Sequence, residues 1–188
     1  MTKGPLIILS GPSGSGKSTV IARLLAMADL RLRLSVSATT RPPRPGEKDG
    51  VHYYFWKTEQ FEKELAAGGF LEWAKVVGNY YGTLARDVTP YREQGIAVLL
   101  DIDVQGWDQV RQRCSDAVSI FLLPPSLEIL EKRLRDRSTE TEASIQRRLS
   151  TARTEIARAN EYNHRVVNAD LDTTVNELRA LIAPLVRK

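Results

Sequence analysis

Three stretches of the chain are almost continuously apolar: Leu6-Ile7-Ile8-Leu9, Ile96 to Ile102 and Val118 to Leu123. They are rich in branched residues and too short for helices, so they read as central strands of a parallel sheet covered on both faces. Elsewhere the apolar positions recur at helical spacing: Val20, Ile21, Leu24 and Leu25; Leu127, Leu130 and Leu134; Ile145, Leu149, Ala152 and Ile156; Val175, Leu178, Ile182 and Leu185. These are amphipathic helices. Ser126 is placed to cap the second, and Thr139 with Glu142 forms a capping-box pattern ahead of the third. Strands alternating with helices predict an α/β fold, a parallel sheet flanked by helices.

Between the first helix and the second apolar run the pattern changes. Residues 35 to 56 hold Ser-Val-Ser-Ala-Thr-Thr-Arg, Pro42, Pro43 and Pro45, and the aromatic run Val51-His52-Tyr53-Tyr54-Phe55. Phe70-Leu71-Glu72-Trp73 and Asn79-Tyr80-Tyr81-Gly82-Thr83 continue the strand-like character, with Gly78 and Gly82 as turn points. A strand-rich insertion over about 36–94 is expected, with unusually concentrated polar groups.

Of 188 residues, 42% are hydrophobic and 27% charged. That balance excludes disorder along the whole chain and suits one compact domain with inserted subdomains. The single cysteine, Cys114, cannot build a disulfide framework or a cysteine-rich zinc site. No apolar run approaches the roughly 20 residues of a membrane span, and Met1-Thr2-Lys3-Gly4-Pro5 lacks the pattern of a signal peptide. A soluble cytoplasmic protein without a membrane partner is expected. Lys+Arg 27 against Asp+Glu 23 leaves +4, which invites an anion without naming one. A nucleic-acid partner is not expected, because no strip of interleaved basic and aromatic residues supports it.

Position says more than the sum. Gly11-Pro12-Ser13-Gly14-Ser15-Gly16-Lys17-Ser18 satisfies G-x-x-x-x-G-K-[ST] between an apolar strand and a helix, the context its mechanism needs. There, successive backbone N–H groups cradle phosphate oxygens, Lys17 reaches the β/γ oxygens and the Ser18 hydroxyl is placed to ligate Mg²⁺. The loop alone fits a kinase, a switch GTPase or a motor. No Asn-Lys-x-Asp segment reads guanine, and the insertion is crowded with arginine and tyrosine, so a second anion site is the simpler reading. Arg41 and Arg44, separated by Pro42-Pro43, can present forked donors to one phosphate, with hydroxyls from Tyr53 and Tyr81.

At this point the chain resembles the guanylate kinase family. The likeness runs through Gly11 to Thr19, Ser37 to Glu47, Phe70-Leu71-Glu72-Trp73, Gly78 to Thr83, Leu100 to Gly106, Arg137 to Glu142, Arg148-Leu149 and Val167 to Leu171, in order along nearly the whole chain. The resemblance implies a P-loop core (1–35, 95–125 and 159–188), a GMP-binding insertion (36–94) and a mobile lid (126–158) that closes over ATP. It implies transfer of the γ-phosphoryl group of Mg·ATP to GMP, with dGMP as a further substrate, in purine nucleotide recycling.

Residue by residue, the resemblance assigns Arg41, Arg44, Tyr53 and Tyr81 to the GMP phosphate and Ser37, Glu72, Thr83 and Asp103 to guanine. It assigns the loop from Gly11 to Thr19 with Arg137 and Arg148 to the ATP phosphates, beside Arg133, and Asn168 to the edge of the adenine. Asp101 falls where a Walker-B carboxylate organises Mg²⁺ and its waters. Lys17, Arg41, Arg137 and Arg148 are the expected catalytic cations. Guanine offers two adjacent donors that one carboxylate, Glu72, can accept, while Ser37 and Thr83 meet the O6 side. The remaining arginines between Arg133 and Arg158 read as a solvated helical face, with Glu142 and Glu155 as local partners. The chain departs from the family at Leu84-Ala85-Arg86 and at Trp107, which is bulkier than expected. Two rival readings are a kinase of other base specificity and a noncatalytic guanylate-kinase-like binding module. Intact Gly16-Lys17-Ser18 opposes the second.

Overall fold

The computed structural model describes residues 3–136 and 141–186. Its main sheet contains β1 (Leu6–Ser10), β2 (Leu32–Leu34), β7 (Ala97–Asp101), β8 (Val118–Leu123) and β9 (His164–Val167), in the order β2-β7-β1-β8-β9. All four pairings are parallel, with Ile7 opposite both Leu99 and Val118. Side chains alternate between two packed faces. Ile7, Leu9, Leu99, Ile120 and Leu122 meet α1 (Lys17–Leu25) and α7 (Leu171–Val186). Leu6, Ile8, Val98, Leu100 and Phe121 meet Trp107 and Val110 of α4 (Val104–Arg113) and Tyr162. Burial on both faces is why the central strands are apolar without alternation. The edge strand β2 is three residues of Leu-Arg-Leu, too short to announce itself in the sequence.

A second sheet, ordered β4-β3-β6-β5, is built from β3 (Ala38–Thr39), β4 (Tyr54–Phe55), β5 (Phe70–Val76) and β6 (Asn79–Leu84). The insertion also carries helices, α2 (Thr58–Ala66) and the short α3 (Thr89–Glu93). Phe61 of α2 stacks on Phe70 at 4.3 Å and on Tyr80 at 5.1 Å. The β5–β6 hairpin turns at Val77 and Gly78, with φ of 49° and 82°, the positive pair a tight right-twisted hairpin needs. Of the aromatic run at 51–55 only Tyr54–Phe55 forms a strand. The N–H groups of Val51 and His52 fold back onto the Lys48 carbonyl, and Asp49 takes the Phe55 N–H at 2.8 Å, so the run begins as a turn. Buried Asp87 fastens this unit to the end of β2 by accepting from Arg33, the Ser35 hydroxyl and the Val36 N–H.

Helices α5 (Leu127–Arg135) and α6 (Glu142–Ala157) share a small core of Leu130, Leu134, Ile145, Leu149 and Ala152. Ser126 caps α5 through the Ile129 N–H. The capping-box reading at Thr139 is corrected: the N-cap of α6 is Thr141, extended at ψ 154°, whose hydroxyl accepts the Ser144 N–H at 3.3 Å. Thr139 itself lies outside the described residues. No helix among the described residues is long and apolar enough to cross a membrane.

The bulky Trp107 has a place. It is 4% exposed, stacks on Tyr162 with centroids 4.0 Å apart, and carries the Arg111 guanidinium 4.4 Å above its ring. Truncating such a side chain loses its burial and leaves a cavity. Trp107→Ala is expected to cost about 3–5 kcal/mol, seen as a lower urea midpoint at unchanged slope. A midpoint equal to the parent's would show that this stack does not support the core.

Candidate active site

The loop after β1 is shaped by what surrounds it. Gly16 caps α1 at φ 94°, and a Cβ there would lie 2.3 Å from the Asn168 amide nitrogen, so only glycine fits. A Cβ on Gly11 would lie 2.4 Å from the Leu122 carbonyl oxygen. Asn168 is buried, donating to the Ser15 carbonyl at 2.7 Å while accepting from the Thr174 hydroxyl at 3.2 Å. Its amide thus ties the loop at Ser15 to Thr174 of α7. Arg133 donates to the Asn168 and Ser15 carbonyls, at 3.1 and 3.5 Å, and so braces the same corner. Lys17 folds back to donate to the Gly11 carbonyl at 2.6 Å, and exposed Ser18 and Thr19 open the helix behind it.

Above the loop lies a cavity walled by Asp101, Ile102 and Asp103 after β7, by Tyr53 from the insertion and by Glu155 from α6. Asp103 caps α4, its side chain accepting the Gly106 N–H at 2.9 Å. Asp101 is crowded by protein yet open to the cleft, and burial raises its pKa against the pull of Lys17. Burial pushes the Glu155 carboxyl up to about 7, opposed by Lys17 and reinforced by Asp103. Glu142 pairs with Arg135 at 2.6 Å, as a helical-face reading expects. Glu155 takes part in no such pair among the described residues, and its reading is corrected: seven residues after Arg148, it shares that residue's face of α6 and turns into the cleft. Arg148 reaches the loop, Nη1 lying 3.3 Å from the Ser13 hydroxyl. Arg137 lies outside the described residues.

For a divalent ion the donors at hand are hard oxygens, the Ser18 hydroxyl and the Asp101 carboxylate. Among the described residues no group of three His, Cys, Asp or Glu side chains could hold a metal. A hydroxyl and one carboxylate are a donor set that fits Mg²⁺, which keeps several waters and leans on substrate phosphates.

Next to the loop, Ser37, Tyr53, Glu72, Tyr81, Asp101 and Asp103 line a second cavity. At its wall Glu72 is only 5% exposed and accepts the Thr83 hydroxyl at 2.6 Å. Burial lifts its carboxyl to about 7 against that hydrogen bond, and Asp103 adds to the rise. A Cβ on Gly106 would sit 2.5 Å from Glu72 Oε2, so α4 leaves exactly one carboxylate's room there. Thr83, expected to meet the base, makes its hydroxyl bond to Glu72 and so braces the carboxylate. Tyr53 and Tyr81 pack edge to face at 6.1 Å.

The two insertion arginines differ. Arg41 is held bidentately by Glu47, at 2.6 and 2.7 Å, beneath the Tyr53 ring at 5.1 Å. Glu47 also takes the Arg44 N–H at 2.7 Å, and the Arg41 guanidinium holds its carboxyl down at about 2. The side chain of Arg44 is exposed and enters no ion pair among the described residues. Glu47 was not among the expected site residues, although a glutamate six positions from Arg41 across a Pro-Gly turn was there to be read. Arg41, Arg44 and Tyr81 face Ser13, Arg148 and Glu155 across one cleft, with Asp103 common to all three cavities.

A family model described as guanylate kinase matches residues 3–184. A guanylate kinase of Rickettsia bellii is 49% identical over 180 residues, covering 96% of this chain and 94% of the relative. One of Symbiobacterium thermophilum is 50% identical over 180 residues, covering 96% and 85%. The crystal structure of guanylate kinase from Anaplasma phagocytophilum superposes with a TM-score of 0.80 at 33% identity, covering 100% of this chain and 89% of that one.

The raised carboxyl of Glu72 has a consequence for stability. It titrates near 7 when folded and at about 4.5 when unfolded, so between those values the native chain holds more protons than the unfolded one. Stability of the ligand-free protein therefore falls as pH rises from about 4.5 to 7, by up to about 3 kcal/mol for this group, and levels off above. Glu72→Gln removes that share while Glu155 keeps its own slope of the same sign. Urea midpoints taken from pH 5 to 8 should flatten in the variant; an unchanged profile would mean that Glu72 is not buried in neutral form.

Proposed function

The chain belongs to the guanylate kinase family, and from that premise we propose that it transfers the γ-phosphoryl group of Mg·ATP to GMP, giving ADP and GDP. dGMP offers the same base and phosphate and is a substrate through the same contacts. The observation that carries this reading is Glu72, a carboxylate held by Thr83 at the wall of a cavity that adjoins an intact phosphate loop. Guanine presents N1–H and the N2 amine side by side, and two carboxylate oxygens accept both; adenine has no such pair. The Ser37 hydroxyl is the donor for O6, and Asp103 closes the base cavity from the end of α4.

The acceptor phosphate is already an anionic nucleophile, so the protein supplies positions and charges rather than a base. Arg41, Arg44, Tyr53 and Tyr81 grip it from the insertion. On the donor side the loop N–H groups hold the β-phosphate, Lys17 leaves the Gly11 carbonyl for the β/γ oxygens, and Arg148 and Arg137 approach from the lid. Ser18, with Asp101 acting through water, would hold Mg²⁺, which offsets the charge of the polyphosphate. Asn168 acts on this site by bracing the loop, at the edge of the space for adenine. Closure of the lid excludes water that would otherwise take the phosphoryl group. The nucleotide substrates point to the cytoplasm as its compartment.

An assay of ADP release with Mg·ATP and GMP, dGMP, AMP, CMP, UMP or no acceptor tests the whole reading. Turnover is expected with the guanine nucleotides alone; equal turnover with AMP would remove guanine reading, and ATP binding without any transfer would leave a binding module. Glu72→Gln is expected to lower kcat/KM for GMP from several-fold to about a thousandfold. Arg148→Ala should lower kcat by about a decade or more with the melting temperature unchanged, since it acts on charge at the transferring group.

Accepting two donors requires ionised Glu72, so GMP binding pulls its pKa down from about 7 and expels a proton. Calorimetry at pH 6.5 in two buffers of different ionisation enthalpy should show more proton release in the wild type than in Glu72→Gln. Equal release would contradict the assignment, because the GMP phosphate titrates alike in both.

A further inference from the structure

A bidentate carboxylate discriminates between bases only if its backbone is fixed, and the strand that carries Glu72 is irregular at that point. The pairing of β5 with β6 shifts register between Phe70 and Glu72. Moreover, β5 is the edge of its sheet, so its outer backbone groups have no strand to bond to. Helix α4 takes that place with side chains. Gln109 accepts the Trp73 N–H at 3.2 Å and returns its amide to the Trp73 carbonyl at 2.7 Å, the two-way exchange that a neighbouring strand would make. Arg113 Nη1 donates to the Phe70 carbonyl at 2.6 Å and to the Leu71 carbonyl at 2.8 Å. The residues on both sides of Glu72 are thereby bonded to one helix.

The same helix face shapes the carboxylate's own pocket. Gly106, Gln109 and Arg113 follow one another at spacings of three and four residues and share one side of α4. Gly106 is the glycine whose Cβ would strike Glu72 Oε2. Asp103, at the helix cap, lines the cavity beyond. Glu72 is therefore positioned by the main domain as much as by its own sheet.

We propose that Gln109 and Arg113 are positioning residues for base selection: their bonds to the edge of β5 hold Glu72 where it meets both guanine donors. The proposal rests on the reading of Glu72 as the guanine acceptor. Hypoxanthine differs from guanine by lacking the N2 amine, so IMP engages one of those donors where GMP engages two. Loosening the strand costs GMP its second hydrogen bond and costs IMP less.

The experiment measures kcat/KM for GMP and IMP, KM for ATP, and melting temperature in the full chain carrying Gln109→Leu, Arg113→Met, Arg113→Lys, Gly106→Ala or Glu72→Gln. Gln109→Leu and Arg113→Met are expected to lower kcat/KM for GMP about tenfold, mainly through KM, as loss of one hydrogen bond to a charged group does. The GMP-to-IMP ratio should fall several-fold with KM for ATP unchanged, and Arg113→Lys, which keeps a charged donor, should restore part of it. An unchanged ratio in both Gln109→Leu and Arg113→Met overturns the proposal, as does a parallel loss for GMP, IMP and ATP with a lowered melting temperature. If Gly106→Ala, which pushes on the carboxylate itself, collapses the ratio while those two do not, Glu72 still reads guanine and only the positioning role fails. If Glu72→Gln leaves the ratio intact, the reading of Glu72 fails instead. Should Gln109→Leu not fold, the Arg113 pair decides alone.

Discussion

A carboxylate withdrawn from water is costly unless something replaces the lost hydration, and Glu72 is withdrawn almost completely. Much of the small sheet makes sense as the means of meeting that cost. Thr83 on the neighbouring strand supplies a hydroxyl donor, and Gly106 supplies space. The stacked rings of Phe61, Phe70 and Tyr80 give the sheet a core firm enough to hold the strand. What remains uncompensated appears as a carboxyl lifted to about 7. On the proposed reading guanine fills the deficit with two N–H donors, so that the feature which weakens the empty protein strengthens the complex. This is selection by an unmet need, and it penalises a base that leaves the carboxylate unpaired.

The cations of the cleft obey the opposite rule. Lys17 rests on the Gly11 carbonyl and Arg41 on Glu47, so neither lies loose in the empty site. On the proposed reading the incoming phosphates meet side chains that have already lost much of their freedom. Glu47 takes both terminal nitrogens of the Arg41 guanidinium, and Nη1 also donates to the Pro42 carbonyl at 2.9 Å, so the planar fork is held in one orientation. Arg44 keeps its charge exposed and shares only its backbone N–H with the same carboxylate.

How legible all this was depended on sequence distance. Parallel strands buried on both faces write themselves as apolar runs, and the phosphate loop is a local object between Leu9 and Val20, so both could be read directly. The family resemblance then gathered Glu72, Arg41 and Tyr81 into one site. Interactions between distant segments left no local mark. Asn168 braces Ser15 from 153 positions away, and Gln109 bonds to Trp73 across 36. Glu155 looked like one more charge on a helix full of charges, because periodicity gives a face and not what the face meets. At the start of α6 the cap is Thr141, the residue directly before the helix.

Helix α4 draws these strands of argument together. Its N-cap Asp103 lies at the meeting point of all three cavities, its first turn carries the glycine that makes room for Glu72, and its later turns bond the free edge of β5. Trp107 and Val110, on its other side, are sunk in the core against Phe121 and Tyr162. One element thus ties Glu72, the proposed reader of the base, to the sheet that carries the phosphate loop. A hinge between insertion and core would let the acceptor approach in many orientations. A helix bonded along both units narrows them, and in the proposed phosphoryl transfer, where catalysis is chiefly alignment, that restriction would itself contribute to rate.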